Sequence, residues 1–236
     1  MSLLILARAV QSTFRISWPT VVEATRGQLR SEDCDDRLDS WSAELLEAAR
    51  VELVVRGEAD VSPQRSYVVM SNHSSLYDIP VLYQALPLRL RMAAKAELFR
   101  VPLWGRAMEA ADFVRVDRKK GPLARAALLE AGERMKRAGV SLWVAPEGTR
   151  SKSGRLGPFK TGAFALARTT RLPILPVTIL GTREILGKDG AVVHAGRRVE
   201  VVVHPAIAPE NFPEVNDALV ALVRDVVASP LPDDMR

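Results

Sequence analysis

The sequence predicts an α/β fold: a mixed central sheet flanked by helices, preceded by an N-terminal helical segment that associates with a membrane surface. Three observations lead there. Short apolar runs of strand length alternate with longer amphipathic stretches between residues 51 and 180, as in a sheet with helices packed on its faces. The chain has 236 residues, 47% of them hydrophobic, which is enough for one large core. Polar and charged residues gather directly after the strand-like runs, where α/β sheets place their sites. The expected division is a helical segment over residues 1–50 and an α/β domain over 51–236; no repeat or low-complexity linker separates them.

Residues 1–22 open with Leu3, Leu4, Ile5 and Leu6 but carry Arg8, Gln11 and Arg15. No uncharged run approaches the ~20 residues of a spanning helix, and the apolar stretch is too short, with no basic residue ahead of it, for a signal peptide. On a helical projection Leu3, Leu6, Val10, Phe14, Ser17 and Val21 share one face, opposite Arg8, Gln11 and Arg15. That suits a helix lying in a membrane interface with Trp18 near the headgroups. An amphipathic helix packed on its own domain would show the same pattern.

Residues 27–39 are polar and acid-rich, a loop on composition, and 40–50 read as a second helix with Trp41, Leu45, Ala48 and Ala49 inward. Residues 51–56 alternate and stop at Gly57, a strand. Strands at 66–70, 89–94, 113–117, 140–145 and 173–180 then interleave with helices at 75–86, 97–110, 122–138 and 160–170. The helix at 122–138 shows the pattern plainly: Ala124, Ala127, Leu128, Ala131 and Met135 form an inner stripe, while Glu130 with Arg134 and Glu133 with Arg137 pair outside. Residues 192–194 and 198–204 suggest a closing hairpin, and 213–228 a final helix.

A formal charge of +5 suits partners that carry phosphate: nucleic acid, an anionic membrane or a phosphorylated small molecule. Nucleic acid fits less well, because basic residues are mixed with acidic ones and no nucleic-acid motif is present. A single cysteine, Cys34, in the acidic loop, excludes an internal disulfide. Three scattered histidines without metal-ligand spacing predict no metal site.

The stretch with the most chemistry is Asn72-His73-Ser74-Ser75-Leu76-Tyr77-Asp78, directly after the apolar run 67–70. On one straight helix a five-residue separation is roughly 500°, so His73 and Asp78 would point about 140° apart. They meet only if His73 lies in a loop and Asp78 in the first turns of the following helix, which Ser74 or Ser75 could cap and where Pro80 is tolerated. Asp78 would then fix one ring nitrogen of His73 and leave the other as a general base. A capped helix with a surface histidine and a dipole-favoured aspartate is the plainer alternative.

Three further clusters stand at strand ends. Phe113 to Lys120 is a strand running into basic residues. Pro146-Glu147-Gly148-Thr149-Arg150-Ser151 breaks a buried strand and turns, presenting a carboxylate and a guanidinium suited to phosphate. Leu172-Pro173-Ile174-Leu175-Pro176-Val177 carries two prolines that cannot donate to a ladder, which marks an edge or irregular strand. Singly, these could be a solvated end, a local ion pair and a structural stop.

In order, these blocks resemble the glycerolipid acyltransferase superfamily, of the 1-acylglycerol-3-phosphate acyltransferase type. Its Asn-His-x-x-x-x-Asp box matches 72–78, its arginine block 105–118, its Pro-Glu-Gly-Thr-Arg-Ser box 146–151, and its Pro-Ile-x-Pro-Val block 172–177. The resemblance covers about residues 40 to 205, and the first and third blocks match most closely. In the second, the family arginine is Arg115 or Arg118; Arg118 lies beyond the strand and fits better.

The resemblance implies that His73 is the general base, oriented by Asp78, and that a glycerol hydroxyl attacks the acyl thioester directly. No acyl-enzyme is expected: no Gly-x-Ser-x-Gly elbow is present, and Ser74 lies too close to His73 in the chain. Arg118 and Arg150 would hold the acceptor's phosphate, with Gly148 and Thr149 letting the backbone approach, Glu147 orienting the arginine or the glycerol, and Lys160 extending the site. Lys95 is a candidate nearby charge, and Pro173 and Pro176 would shape the acyl wall. The resemblance further implies a lysophospholipid acceptor, acyl-CoA or acyl-acyl carrier protein as co-substrate, no other cofactor, and a peripheral position on the cytoplasmic face of the inner or plasma membrane. A different lysolipid acceptor such as a lyso-ornithine lipid, a tafazzin-like transacylase, and a lipid-binding protein without turnover are the alternatives.

Overall fold

The computed structural model describes residues 2–57, 61–116, 121–187, 190, 192–212, 214–215 and 217–236, with side chains for all of these except 2 and 121–125. The chain runs through α1 (Ser2–Thr25), α2 (Ser31–Ala48), β1 (Glu52–Arg56), β2 (Val68–Ser71), α3 (Asp78–Ala85), β3 (Leu90–Lys95), α4 (Trp104–Ala110), β4 (Val114–Val116), α5 (Gly121–Arg137) and β5 (Ser141–Val144). It continues through α6 (Gly162–Thr170), β6 (Ile174–Leu180), α7 (Thr182–Ile185), β7 (Arg198–Val203) and α8 (Asp217–Ala228). The strands form one mixed sheet in the order β1-β7-β6-β2-β5-β3-β4. From β6 to β4 all neighbours are parallel; β7 runs antiparallel to β6, and β1 is parallel to β7. The carboxyl ends of β6, β2 and β5 therefore open side by side on one edge.

Every residue of β2 is buried, as expected for a parallel strand covered on both faces. Successive side chains alternate between two cores. Val69, Trp143, Leu175 and Val177 pack with Leu46, Val81 and Leu82 on one face. Val68, Met70, Leu142 and Ile174 pack with Leu128, Phe164 and Val223 on the other.

Several elements differ from the sequence expectation. Residues 31–39 are helical, the first half of α2, rather than loop. Their acids serve the helix: Glu32 and Asp33 occupy its first turn, where the dipole favours negative charge, and Asp35 binds Arg89 at 2.7 Å and the buried Arg91. Cys34, Leu38, Ser42 and Leu46 line its buried face at four-residue intervals, a stripe too polar to stand out. Cys34 is thus a core residue. The expected helix over 97–110 is split into a 3-10 turn, Ala96–Arg100, and α4. Pro102 and Leu103, with φ of 62°, break it, and a Cβ on Gly105 would stand 2.2 Å from the Phe99 carbonyl oxygen.

No hairpin forms between 192–194 and 198–204; β7 pairs with β1 and β6 instead. The final helix starts at Asp217. β6 is an interior strand despite Pro176 within it and Pro173 just ahead of it. Pro176 accepts from the His204 N–H (3.0 Å) just beyond the end of β7, so its missing donor falls where the ladder has already stopped.

α1 buries Ile5, Ser12, Ser17 and Thr20 and exposes Leu3, Leu6, Val10, Phe14 and Trp18. Ser17 therefore belongs to the inner face, not the apolar stripe. The small polar side is held to α2 by Ser12–Glu44 (2.6 Å), Trp41–Thr13 (3.0 Å) and Arg37–Glu23 (2.6 Å). Among the described residues no helix is long and apolar enough to cross a membrane.

Candidate active site

Beyond Ser71 the chain stays attached to β6 through a side chain. Asn72 accepts the Ile179 N–H on Oδ1 (2.8 Å) and donates from Nδ2 to the Ile179 carbonyl (2.7 Å). An asparagine thus continues the β2–β6 ladder by one step, and His73 emerges from it in a fixed direction. Ser74 and Ser75 do not cap α3, whose N-cap is Tyr77. Their N–H groups turn instead onto Asp78, the first residue of α3, at 2.9 and 3.0 Å on Oδ2.

The same Oδ2 receives His73 Nδ1 at 2.6 Å. A carboxylate can only accept, so Nδ1 carries the proton and Nε2 is left with the lone pair. Asp78 is fully buried, whereas the His73 side chain is 13% exposed. The imidazole is partly open to solvent while its partner is not. Trp143 of β5 meets the imidazole edge to face, with centroids 5.2 Å apart, and is itself pinned by Nε1 to Ser71 Oγ at 2.9 Å.

The loop after β5 grips the His73 backbone from both sides. Glu147 Oε1 accepts the His73 N–H (2.9 Å), and the Ser151 N–H donates to the His73 carbonyl (2.7 Å). Glu147 Oε2 accepts the Gly157 N–H (2.9 Å). Both oxygens of Glu147 therefore brace backbone. Burial pushes its carboxyl up from the usual glutamate value, and the N–H groups of Gly157 and His73 act against that rise.

Gly148 turns this loop with φ of +72°, and a Cβ there would lie 2.9 Å from Lys160 Nζ. The ammonium thus sits directly over the turn, which the Lys160 N–H ties down at the Pro146 carbonyl (2.9 Å). Arg150 directly precedes Ser151, one residue from the bond to His73, and Thr149 is exposed beside it. The turn brings Gly148, Thr149, Arg150 and Lys160 alongside His73.

Lys95 is exposed at the end of β3. Arg115 pairs with Glu109 and lies over the Phe99 ring, 4.9 Å from its centroid. Arg118 lies outside the described residues. Pro173, just ahead of β6, and Pro176, within it, are both buried. Three contributors escaped sequence reasoning: Trp143, Asn72 as a ladder extension, and Thr182, whose hydroxyl donates to Asp78 Oδ1. Only Thr182 carried a signal, as a polar residue directly after the Gly181 that ends a strand-like run.

Comparison with known proteins shows the family and the fold. A family model described as "Acyltransferase" matches residues 52–180. The 1-acyl-sn-glycerol-3-phosphate acyltransferase alpha of Mus musculus is 34% identical over 189 residues, 80% of this chain and 66% of that protein. A chloroplastic 1-acyl-sn-glycerol-3-phosphate acyltransferase, BAT2 of Brassica napus, is 37% identical over 59% of this chain and 40% of its own length. The chain thus spans 40–66% of these two relatives. The crystal structure of the 1-acyl-sn-glycerophosphate (LPA) acyltransferase PlsC from Thermotoga maritima superposes with a TM-score of 0.81 at 26% identity, covering 97% of this chain and 94% of that one. With more than half of its length matched by the family model and the fold shared end to end, the chain belongs to the acyltransferase family.

Proposed function

We propose that the protein transfers a fatty acyl group from acyl-CoA or acyl-acyl carrier protein to the free hydroxyl of 1-acylglycerol-3-phosphate, giving phosphatidate. The observation behind this reading is the oriented pair: a partly exposed imidazole with Nδ1 fixed on a buried carboxylate, next to a turn that contains Arg150 and lies under Lys160.

Nε2 of His73 takes the proton of the acceptor hydroxyl as its oxygen attacks the thioester carbonyl. The tetrahedral intermediate collapses, the C–S bond breaks, and the leaving thiolate recovers the proton from the imidazolium. Arg150 and Lys160, joined by Arg118, hold the acceptor phosphate as charge-assisted donors. The acyl donor is the only co-substrate in this scheme.

The exposed stripe of α1 supplies the membrane contact. Leu3 is 83% and Trp18 57% exposed, with Val10 and Phe14 between them. Such a row on a helix that does not span suits burial in the interface, and it would hold the site beside a lysolipid, peripherally on the cytoplasmic face.

Transfer of a labelled acyl group from both donors to lysophosphatidate, and in parallel to a lyso-ornithine lipid, tests the reading. It predicts phosphatidate and a strong preference for the phosphate-bearing acceptor, lost in Arg150→Ala. Equal use of both acceptors, transfer from a phospholipid donor alone, or no turnover at all would contradict it.

A further inference from the structure

We infer that Thr182 is a positioning residue of the acyl-transfer reaction, its buried hydroxyl completing the donor set of Asp78 and so holding the carboxylate that orients His73. The inference rests on the reading of His73 as the base.

Asp78 Oδ2 takes its three donors, His73 Nδ1 and the N–H groups of Ser74 and Ser75, from one short stretch of chain. Those contacts could move together with the loop. The donor to Oδ1 comes from Thr182, 104 positions away. It ties the loop to the end of a different strand.

That strand end is itself fixed. Gly181 has φ of +92°, and a Cβ there would stand 2.3 Å from the Arg198 carbonyl oxygen, so the corner between β6 and α7 is pressed against β7. Four residues beyond Thr182, the Leu186 carbonyl accepts the Ser75 hydroxyl at 2.7 Å. Residues 182–186 thus clasp the catalytic loop at two places.

The direction of the bonds follows from donor counting. Asp78 can only accept, so the single Thr182 proton goes to Oδ1. The Ser74 hydroxyl, 3.2 Å away, must then donate to Thr182 Oγ1. Thr182 is fully buried, and its removal would take the donor from Asp78 Oδ1. Its donation also draws charge from the carboxylate. Without it, more of that charge would fall on His73, whose proton would be held more tightly. Among the described residues Glu147, from the loop after β5, also faces the pair, with Arg150 and Lys160 at the adjoining turn, and all three are the same in the variants below.

Thr182→Val keeps the outline and removes the hydroxyl; Thr182→Ser keeps the hydroxyl. In the full chain we expect Thr182→Val to lower kcat about tenfold or more, the worth of one hydrogen bond to a charged group. KM for lysophosphatidate should stay within about twofold, and the acidic limb of the kcat profile should move to higher pH. Thr182→Ser should recover most of kcat and the wild-type limb. Wild-type kcat and pH limb in Thr182→Val would overturn the proposal, as would Thr182→Ser impaired equally, since packing of the methyl would then be the cause. If Thr182→Val does not fold, Thr182→Ser against Thr182→Ala gives the same decision. Imidazole 15N resonances, assigned by their loss in His73→Ala, read the pair without substrate. A single Nδ1–H tautomer in wild type that shifts in Thr182→Val supports the clamp even if wild type transfers no acyl group. Unchanged resonances, with wild type active, sink it.

Discussion

Glutamine at position 147 would keep the shape of Glu147 and remove its charge. The carboxylate accepts two partly buried N–H groups, from His73 and Gly157, each at 2.9 Å. An amide has one oxygen, so its NH2 must face one of these N–H groups, two donors opposed. A hydrogen bond to a charged group contributes about 1.5–3 kcal/mol, and an orphaned buried donor costs about 1–3. Relief of burying a charge works the other way, leaving a net loss of about 2–4 kcal/mol. Urea unfolding at neutral pH measures it, and kcat should fall about tenfold or more as the His73 backbone loosens. The sign with pH follows from the raised carboxyl. The folded chain holds that proton more tightly than the unfolded chain, so this contribution to stability is full below the ordinary value of 4.5 and is lost as pH rises through the folded value. Glutamine does not titrate, so the stability gap between wild type and Glu147→Gln should narrow as pH rises from 4.5 toward neutrality. A loss under about 0.5 kcal/mol with unchanged kcat, or a gap that widens with pH, would refute the bracing role.

Asn72→Ala strips Ile179 of both backbone partners and should cost about 2–4 kcal/mol in urea unfolding; near-neutral behaviour would mean the ladder extension is dispensable. Gly148→Ala forces a side chain to φ of +72° and against Lys160, and should raise KM for lysophosphatidate about tenfold with a smaller effect on kcat; an unchanged KM would separate this turn from the acceptor. Val10→Ser with Phe14→Ser removes two exposed apolar side chains from α1. At about 1–1.5 kcal/mol each, binding to anionic vesicles should weaken roughly 30- to 150-fold, and full pelleting of the double variant would exclude α1 as the contact.

The parts of the site legible in the sequence are those whose chemistry follows from spacing. Five residues between His73 and Asp78 forbid contact on one helix and require a loop-to-helix junction, and the structure has that junction. The strands with apolar runs stood out for the same reason: parallel strands buried on both faces are uniformly apolar. What escaped depends on long-range contact. The acids of residues 31–39 look like loop residues until Arg89 and Arg91 meet Asp35. Pro176 reads as an edge signal, but its missing donor falls just beyond the end of β7. Nothing local to Glu147 shows that its oxygens accept the N–H groups of His73 and Gly157. Thr182 is 104 positions from the carboxylate that it holds, a distance that only the sheet order closes.

Single-turnover mixing of excess enzyme with labelled acyl donor and lysophosphatidate, wild type against His73→Ala, tests the role of His73 most directly. Labelled phosphatidate should form with wild type and slow by about 10²- to 10⁴-fold in His73→Ala, with vesicle binding and folding unchanged. Phosphatidate formed by His73→Ala at close to the wild-type rate would remove His73 as the base, and the mechanism with it.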